Sequence, residues 1–139
     1  MSFIEKILSV VRGKKEEKKG ILVIDNRFLS LEFLKNVLCR RYEVLIAQDK
    51  EEGLSKALFQ KPNLIILNSK LKKERTLDLC RGLRIPDETK NIPILIIAEK
   101  GDDSKVAEFY VHKIEGFLME PFSKRELLNQ VRAIFLDRR

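Results

Sequence analysis

The chain has 139 residues, of which 44% are hydrophobic and 35% charged, values that predict one compact core and exclude wholesale disorder or two ordinary domains. No apolar run approaches the roughly 20 residues of a bilayer-spanning helix, and the N-terminus lacks the pattern of a secretory signal, so we expect a cytoplasmic protein. The net charge of +7 lies partly in residues 1–20, and no basic helix carries interleaved aromatic residues, so we expect no nucleic-acid partner.

The first 20 residues predict a short amphipathic helix followed by a charged linker. Ser2 and Glu5 are spaced as a capping box, and Gly13 is placed to end the helix. Its apolar stripe consists of Phe3, Ile4, Ile7, Leu8 and Val11. Because so short a helix is not stable alone, we expect it to dock on its own domain, a second copy, a partner protein or a membrane. The polar face is only mildly basic, which favours protein over membrane.

From residue 21 onward, short apolar runs alternate with segments of helical period, which is typical of a parallel sheet covered by helices. The predicted strands are 21–24, 42–47, 64–67, 94–98 and 115–119. The predicted helices are 28–41, 51–60, 76–84, 102–112 and 123–136. This order predicts an α/β fold with a doubly wound, five-stranded parallel sheet, whose ligand site lies at the carboxyl ends of the central strands.

Two cysteines, Cys39 and Cys80, fall within this pattern. They form no Cys-x-x-Cys pair and have no nearby histidine, so the sequence indicates neither a zinc site nor a redox motif. We interpret both as buried, reduced thiols.

Six segments, in the right order and at the right spacing, resemble the receiver domain of bacterial response regulators, the CheY-like family of two-component signalling. They are ILVIDN at 21–26, YEVLIAQDKEEGL at 42–54, PNLIILN at 62–68, TLDLCRGLR at 76–84, NIPILIIA at 91–98 and GFLMEPFSKRELL at 116–128. The resemblance implies a flavodoxin-like fold for a receiver-like domain at 21–139, with residues 1–20 as an additional helix and linker. It also implies a cis bond between Glu120 and Pro121.

The resemblance further implies where a phosphorylation site would lie. In the family, an aspartate ending the third strand accepts a phosphoryl group, and acidic residues after the first strand hold a divalent cation. A hydroxyl after the fourth strand and a lysine after the fifth contact the phosphoryl oxygens. Of these positions only Asp25 keeps its residue type, because Asn26 follows it and the other positions hold Asn68, Ala98 and Glu120.

These replacements predict a site that is not phosphorylated. The amide oxygen of Asn68 is a poor nucleophile, and Glu120 removes a cation and repels an incoming phosphate. Ala98 cannot donate the hydrogen bond that would move the next loop. Phe117, at the family's aromatic switch position, has no hydroxyl to hold it outward, so we expect it to stay buried. We also expect the pocket to lack a counter-cation.

Two other interpretations of the strand ends stay open. Asp25, Asn26 and Asn68 are suited to cap backbone groups. Alternatively, Asp25, Glu120 and the Asn68 carbonyl oxygen could bind Mg²⁺, since hard cations accept carboxylate and amide oxygens alike. No other metal or cofactor is indicated.

The candidate partner surface lies near the end of the fourth receiver helix. Phe109, Tyr110 and Val111 cannot all face inward on a helical period. The resemblance implies docking on the face formed by the fourth helix, fifth strand and fifth helix.

We therefore predict a phosphorylation-independent signalling adaptor, not an enzyme, that binds a protein partner and can dimerise through this face or the N-terminal helix. The alternatives are a conventional phosphorylatable receiver and a membrane-targeted protein.

Overall fold

The computed structural model describes residues 2–11, 18–69, 71, 76–100 and 113–137, which form five strands and five helices. The strands are β1 (Gly20–Ile24), β2 (Glu43–Ala47), β3 (Leu64–Asn68), β4 (Ile94–Glu99) and β5 (Gly116–Glu120). The helices are α1 (Phe3–Val11), α2 (Phe28–Leu38), α3 (Lys50–Gln60), α4 (Thr76–Arg84) and α5 (Lys124–Asp137). Gly13, the helix predicted at 102–112 and its residues Phe109, Tyr110 and Val111 lie outside the described residues.

The strands form one parallel sheet in the order β2-β1-β3-β4-β5, which confirms the predicted doubly wound fold. The continuous apolar runs of β1, β3 and β4 are buried on both faces, as expected for strands covered by helices on each side. The direction of winding reverses between β1 and β3. Their carboxyl ends therefore border the crevice in which open α/β sheets bind ligands.

Two apolar layers hold the helices against the sheet. On one face α2 and α5 pack together, and α2 buries the predicted set Leu31, Leu34, Val37 and Leu38. On the other face α3 and α4 contribute Ala57, Leu79, Cys80 and Leu83. The candidate site lies at the carboxyl edge of the sheet, close to the N-termini of α2 and α5.

Most predicted elements differ from the structure by one residue at one or both ends, and the following predictions need a further correction. Helix α2 ends at Leu38 and not at Arg41, and the residues after it form a turn in which the backbone N–H groups of Arg41 and Tyr42 both donate to the Leu38 carbonyl. Strand β5 is shifted by one residue, since the Glu115 carboxylate accepts a hydrogen bond from the Ile94 N–H at 2.6 Å. Cys39 is exposed after the end of α2, and only Cys80 is buried; burial raises the pKa of the Cys80 thiol to about 12.

Both predicted capping boxes are confirmed. The Ser2 hydroxyl accepts from the Glu5 N–H at 3.1 Å, and the Glu5 carboxylate accepts from the Ser2 N–H at 3.3 Å. Ser123 and Glu126 make the equivalent contacts at 3.1 and 3.4 Å. The Glu120–Pro121 peptide is cis, as predicted.

The apolar stripe of α1 is exposed along its length, with Phe3 at 78% and Val11 at 76% exposure. Among the described residues, no helix combines the length and apolar character that crossing a bilayer would require. Within the part of the chain that the structure describes, the apolar stripe of α1 is therefore open to solvent.

Gly53 lets α3 approach the strand that carries the candidate site. A Cβ atom at Gly53 would lie 2.7 Å from Cδ1 of the buried Ile24, the last residue of β1. We expect Gly53→Ala to lower the free energy of unfolding by about 1–2 kcal/mol, because overpacking outweighs the gain in helix propensity. Urea denaturation measures the change. Gly82→Ala, whose Cβ would lie 3.2 Å from the nearest Leu54 atom, is the matched control with a smaller expected cost, and equal effects would contradict the prediction.

Candidate functional site

An arginine bridges two carboxylates at the carboxyl edge of the sheet. Arg27 Nη2 donates to Glu120 Oε1 at 2.6 Å, and Nη1 donates to Glu120 Oε2 at 3.0 Å. The same guanidinium donates to Asp25 from Nε at 3.2 Å and from Nη2 at 3.1 Å. Such paired N–H···O contacts use the fixed fork of the guanidinium, which gives them both strength and direction.

The loop from β1 to α2 holds Asp25 in place. The Arg27 N–H donates to Asp25 Oδ1 at 2.9 Å, which closes a local turn, and the Ser30 hydroxyl donates to Oδ2 at 2.8 Å. This backbone contact bears out the interpretation of Asp25 as a capping residue. Asp25 is thus buried but fully engaged by hydrogen-bond donors from its own loop and from α2.

Asn68 reaches the same carboxylate from the neighbouring strand. Its Nδ2 donates to Asp25 Oδ2 at 3.2 Å, and its backbone carbonyl accepts from the Thr76 hydroxyl at 3.1 Å. Asn68 is buried, so its amide serves as a donor to a buried anion. A carboxylate could not serve as that donor without first being protonated.

The hydrogen bonds shift the acid-base behaviour of the cluster. Burial acts to raise the pKa of Asp25, but the donors from the Arg27 side chain, the Arg27 backbone and Ser30 outweigh it, so the pKa of Asp25 lies below its usual value. The hydrogen bonds that Arg27 donates to the Glu120 carboxylate raise the pKa of Arg27 despite partial burial. Asp25 and Arg27 are therefore both charged at neutral pH and form an ion pair.

Glu120 comes from the far end of the sheet. Strands β3 and β4 separate β1 from β5, so the two strand ends are about 14 Å apart at ordinary strand spacing. Two long side chains of opposite charge, here those of Arg27 and Glu120, are needed to span that distance. The Arg27–Glu120 pair therefore links two non-adjacent strand ends across the crevice.

The sequence model of one protein family, the response regulator receiver domain, matches residues 21–132 of this chain. The chain belongs to this family. Among curated proteins, the receiver is 33% identical over 117 residues to the alkaline phosphatase synthesis transcriptional regulatory protein PhoP of Bacillus subtilis, covering 84% of this chain and 48% of the relative. It is 32% identical over 119 residues to the response regulator ArlR of Staphylococcus aureus, covering 82% and 51%. The chain thus spans about half the length of these relatives.

Solved structures show the same fold. The chemotaxis response regulator CheY4 of Vibrio cholerae matches with a TM-score of 0.78 at 23% identity, covering 84% of this chain and 98% of that one. A CheY-like receiver domain protein from Methanospirillum hungatei matches with a TM-score of 0.78 at 21% identity, covering 87% and 96%. At these identities the likeness establishes the flavodoxin-like architecture, which agrees with the sequence prediction.

The structure brings four of the predicted receiver positions to one edge. Asp25, Asn68 and Glu120 are joined directly or through Arg27, and Ala98 is buried in β4, one residue before that strand ends. Asn26 is half-buried beside them. Phe117 is half-buried and packs against the apolar layer that contains Leu79 and Cys80.

The expectation of a pocket without a counter-cation is wrong. Arg27 supplies one, and it lies between Asp25 and Glu120, the two carboxylates considered for Mg²⁺. Among the described residues, no group of three or more His, Cys, Asp or Glu is arranged to hold a metal ion. The signal in the sequence was an arginine two residues after Asp25 together with Glu120, a glutamate at the position that the resemblance assigns to a lysine.

An open groove adjoins this cluster, with a volume of about 570 Å³. Leu29 and Phe33 of α2 form one wall, and Pro121 and Phe122 form the other. The rings of Phe33 and Phe122 lie with centroids 5.9 Å apart and planes tilted by 57°. The groove therefore has an apolar surface that is bordered by the Arg27–Glu120 pair and by two further charged residues, Glu99 and Lys100.

Proposed function

We propose that this receiver domain is a signalling adaptor that acts without phosphorylation, by binding other proteins and not by catalysis. The observation that supports it most is the Arg27 bridge between Asp25 and Glu120. Asn68, at the position that the resemblance assigns to the phosphoacceptor, donates to Asp25. The two features combine an unreactive acceptor with a cation already paired to protein carboxylates.

The chemistry of phosphoryl transfer explains why this arrangement opposes it. An acceptor must attack with an ionised oxygen, which the Asn68 amide lacks. Transfer also needs cations that neutralise the developing charge on phosphoryl oxygens. Here the guanidinium of Arg27 is neutralised by Asp25 and Glu120, so a phosphate would have to displace a carboxylate to reach it.

Incubation of the purified chain with Mg²⁺ and acetyl phosphate tests the proposal. We expect intact-mass spectrometry to show no gain of about 80 Da, the mass of one phosphoryl group. A receiver that retains an aspartate at the acceptor position is the positive control under the same conditions. A mass gain on this chain, at Asp25 or elsewhere in the crevice, would instead favour the conventional phosphorylatable receiver.

We further propose that α1 and the linker after it are a docking element separate from the receiver unit, which begins at Gly20, the first residue of β1, and not at residue 21 as predicted. The exposed stripe of α1 supports this division, since none of its largest side chains is buried against the domain. Self-association or binding to a partner of the signalling pathway is the proposed use of that stripe. The predicted partner residues Phe109, Tyr110 and Val111 stay a prediction.

A further inference from the structure

Two apolar surfaces of this chain are exposed at the same time. One is the stripe of α1, and the other is the groove between α2 and the loop after β5. We propose that α1 of one chain docks in the groove of a second copy, and that the second copy returns the same contact. This inference extends the self-association proposed above and does not depend on the chemistry of Asn68.

The groove is suited to an apolar helix. Leu29 is 81% exposed on one wall of the groove, and the rings of Phe33 and Phe122 contact each other between the two walls. The stripe of α1 presents Phe3, Ile4 and Val11 from a helix about 14 Å long. Amphipathic helices bind grooves by laying such a stripe against them. The surfaces are therefore alike in chemistry and match in scale.

The amount of surface favours two reciprocal contacts over one. A single helix of nine residues against such a groove would bury on the order of 800–1,000 Å² in total, the size of a weak, transient interface that forms only at high protein concentration. Two symmetric contacts would bury on the order of 1,600–2,000 Å², which is the standard size. A two-fold dimer doubles the contact because each chain supplies one helix and one groove.

Other occupants of the groove fit the structure less well. The stripe of α1 lies exposed and is not seated on its own domain. Pairing of two α1 helices alone would join segments shorter than the roughly 12–15 residues at which isolated helices become even marginally stable. A folded groove removes this difficulty, since only the helix must become ordered on binding.

Sedimentation velocity of the full chain at about 100 μM, a concentration suited to micromolar affinity, tests the proposal. We expect a dimer. The double substitution Ile4→Glu and Leu8→Glu in the helix, and the single substitution Leu29→Glu in the groove, should each give monomers. Val11→Asp provides a second helix variant. Phe59→Glu is the matched control, because Phe59 is 82% exposed on α3, away from the groove, and its variant should remain dimeric.

Mixing the helix variant with the groove variant gives the deciding result. The first keeps an intact groove and the second an intact helix, so we expect a one-to-one heterodimer with a single contact and an affinity lower than that of the native dimer. Circular dichroism confirms that each variant is folded. A monomeric native chain, a dimer that survives Leu29→Glu, or a mixture without heterodimer would each overturn the inference. No phosphodonor is present, so such a failure is separate from the phosphorylation test.

Discussion

Replacing Arg27 with alanine is expected to lower the free energy of unfolding at pH 7 by about 2–3 kcal/mol. The substitution leaves the buried Asp25 and the partly buried Glu120 without their shared cation. The Arg27 side chain is 35% exposed, so water can partly replace it, and we place the loss below the range for a fully buried pair.

The loss should depend on pH in a definite direction. The folded protein holds the pKa of Asp25 below its usual value, so the cluster stabilises the fold above the unfolded-state value, about 3.9, and loses this effect as the pH falls through the lower folded-state value. Arg27→Ala removes the main donors that depress this pKa. The difference from the native chain should therefore be largest at neutral pH and shrink below about pH 4.

Urea denaturation at pH 7 and pH 3 measures both effects. Arg81→Ala is the matched control, because Arg81 is an exposed arginine on α4 that contacts Asp78 at 3.5 Å. We expect that control to change stability by less than about 0.5 kcal/mol. Equal losses for the two variants, or a loss at Arg27 that does not vary with pH, would show that the bridge does not act as an ion pair.

Replacing Asn68 with aspartate is expected to destabilise the protein by about 2 kcal/mol or more at pH 7. The substitution removes the Nδ2 donor that lies 3.2 Å from Asp25 Oδ2 and puts a second carboxylate in its place. Two buried carboxylates raise the pKa of one of them, so the variant should regain stability as the pH falls toward about 5. The deficit thus varies with pH over a higher range than that of Arg27→Ala.

Asn63→Asp is the control for this charge change. Asn63 lies just before β3, is exposed, and accepts from the Gly20 N–H through Oδ1 at 2.8 Å, a role that a carboxylate also performs. Thermal and urea denaturation should show a change of less than about 0.5 kcal/mol for that variant. If Asn68→Asp were equally mild, the amide of Asn68 would not be needed as a donor.

The fold could be predicted because its signals are local and periodic. The apolar runs of β1, β3 and β4 and the stripe of α2 follow directly from burial on one or both faces. Boundaries were less accurate where a single hydrogen bond decides them. Helix α2 gives way to a turn after Leu38, and the hydrogen bonds of that turn are not encoded in the apolar periodicity.

The site was predicted in position but not in its charge balance. The strand ends identified Asp25, Asn68 and Glu120 correctly as neighbours, because parallel strands bring their carboxyl ends together. Arg27 was missed, since the partner of a long side chain depends on distances across β3 and β4 that sequence spacing does not give. The role of Glu120 as a partner in an ion pair therefore becomes evident only from the position of Arg27 in the structure.

The cation in the crevice is part of the polypeptide. A guanidinium tethered two residues from Asp25 has an effective concentration that dilution cannot lower, and chelating agents have nothing to extract from it. The counter-charge for Asp25 and Glu120 is consequently made during translation and does not have to be recruited from the surrounding solution.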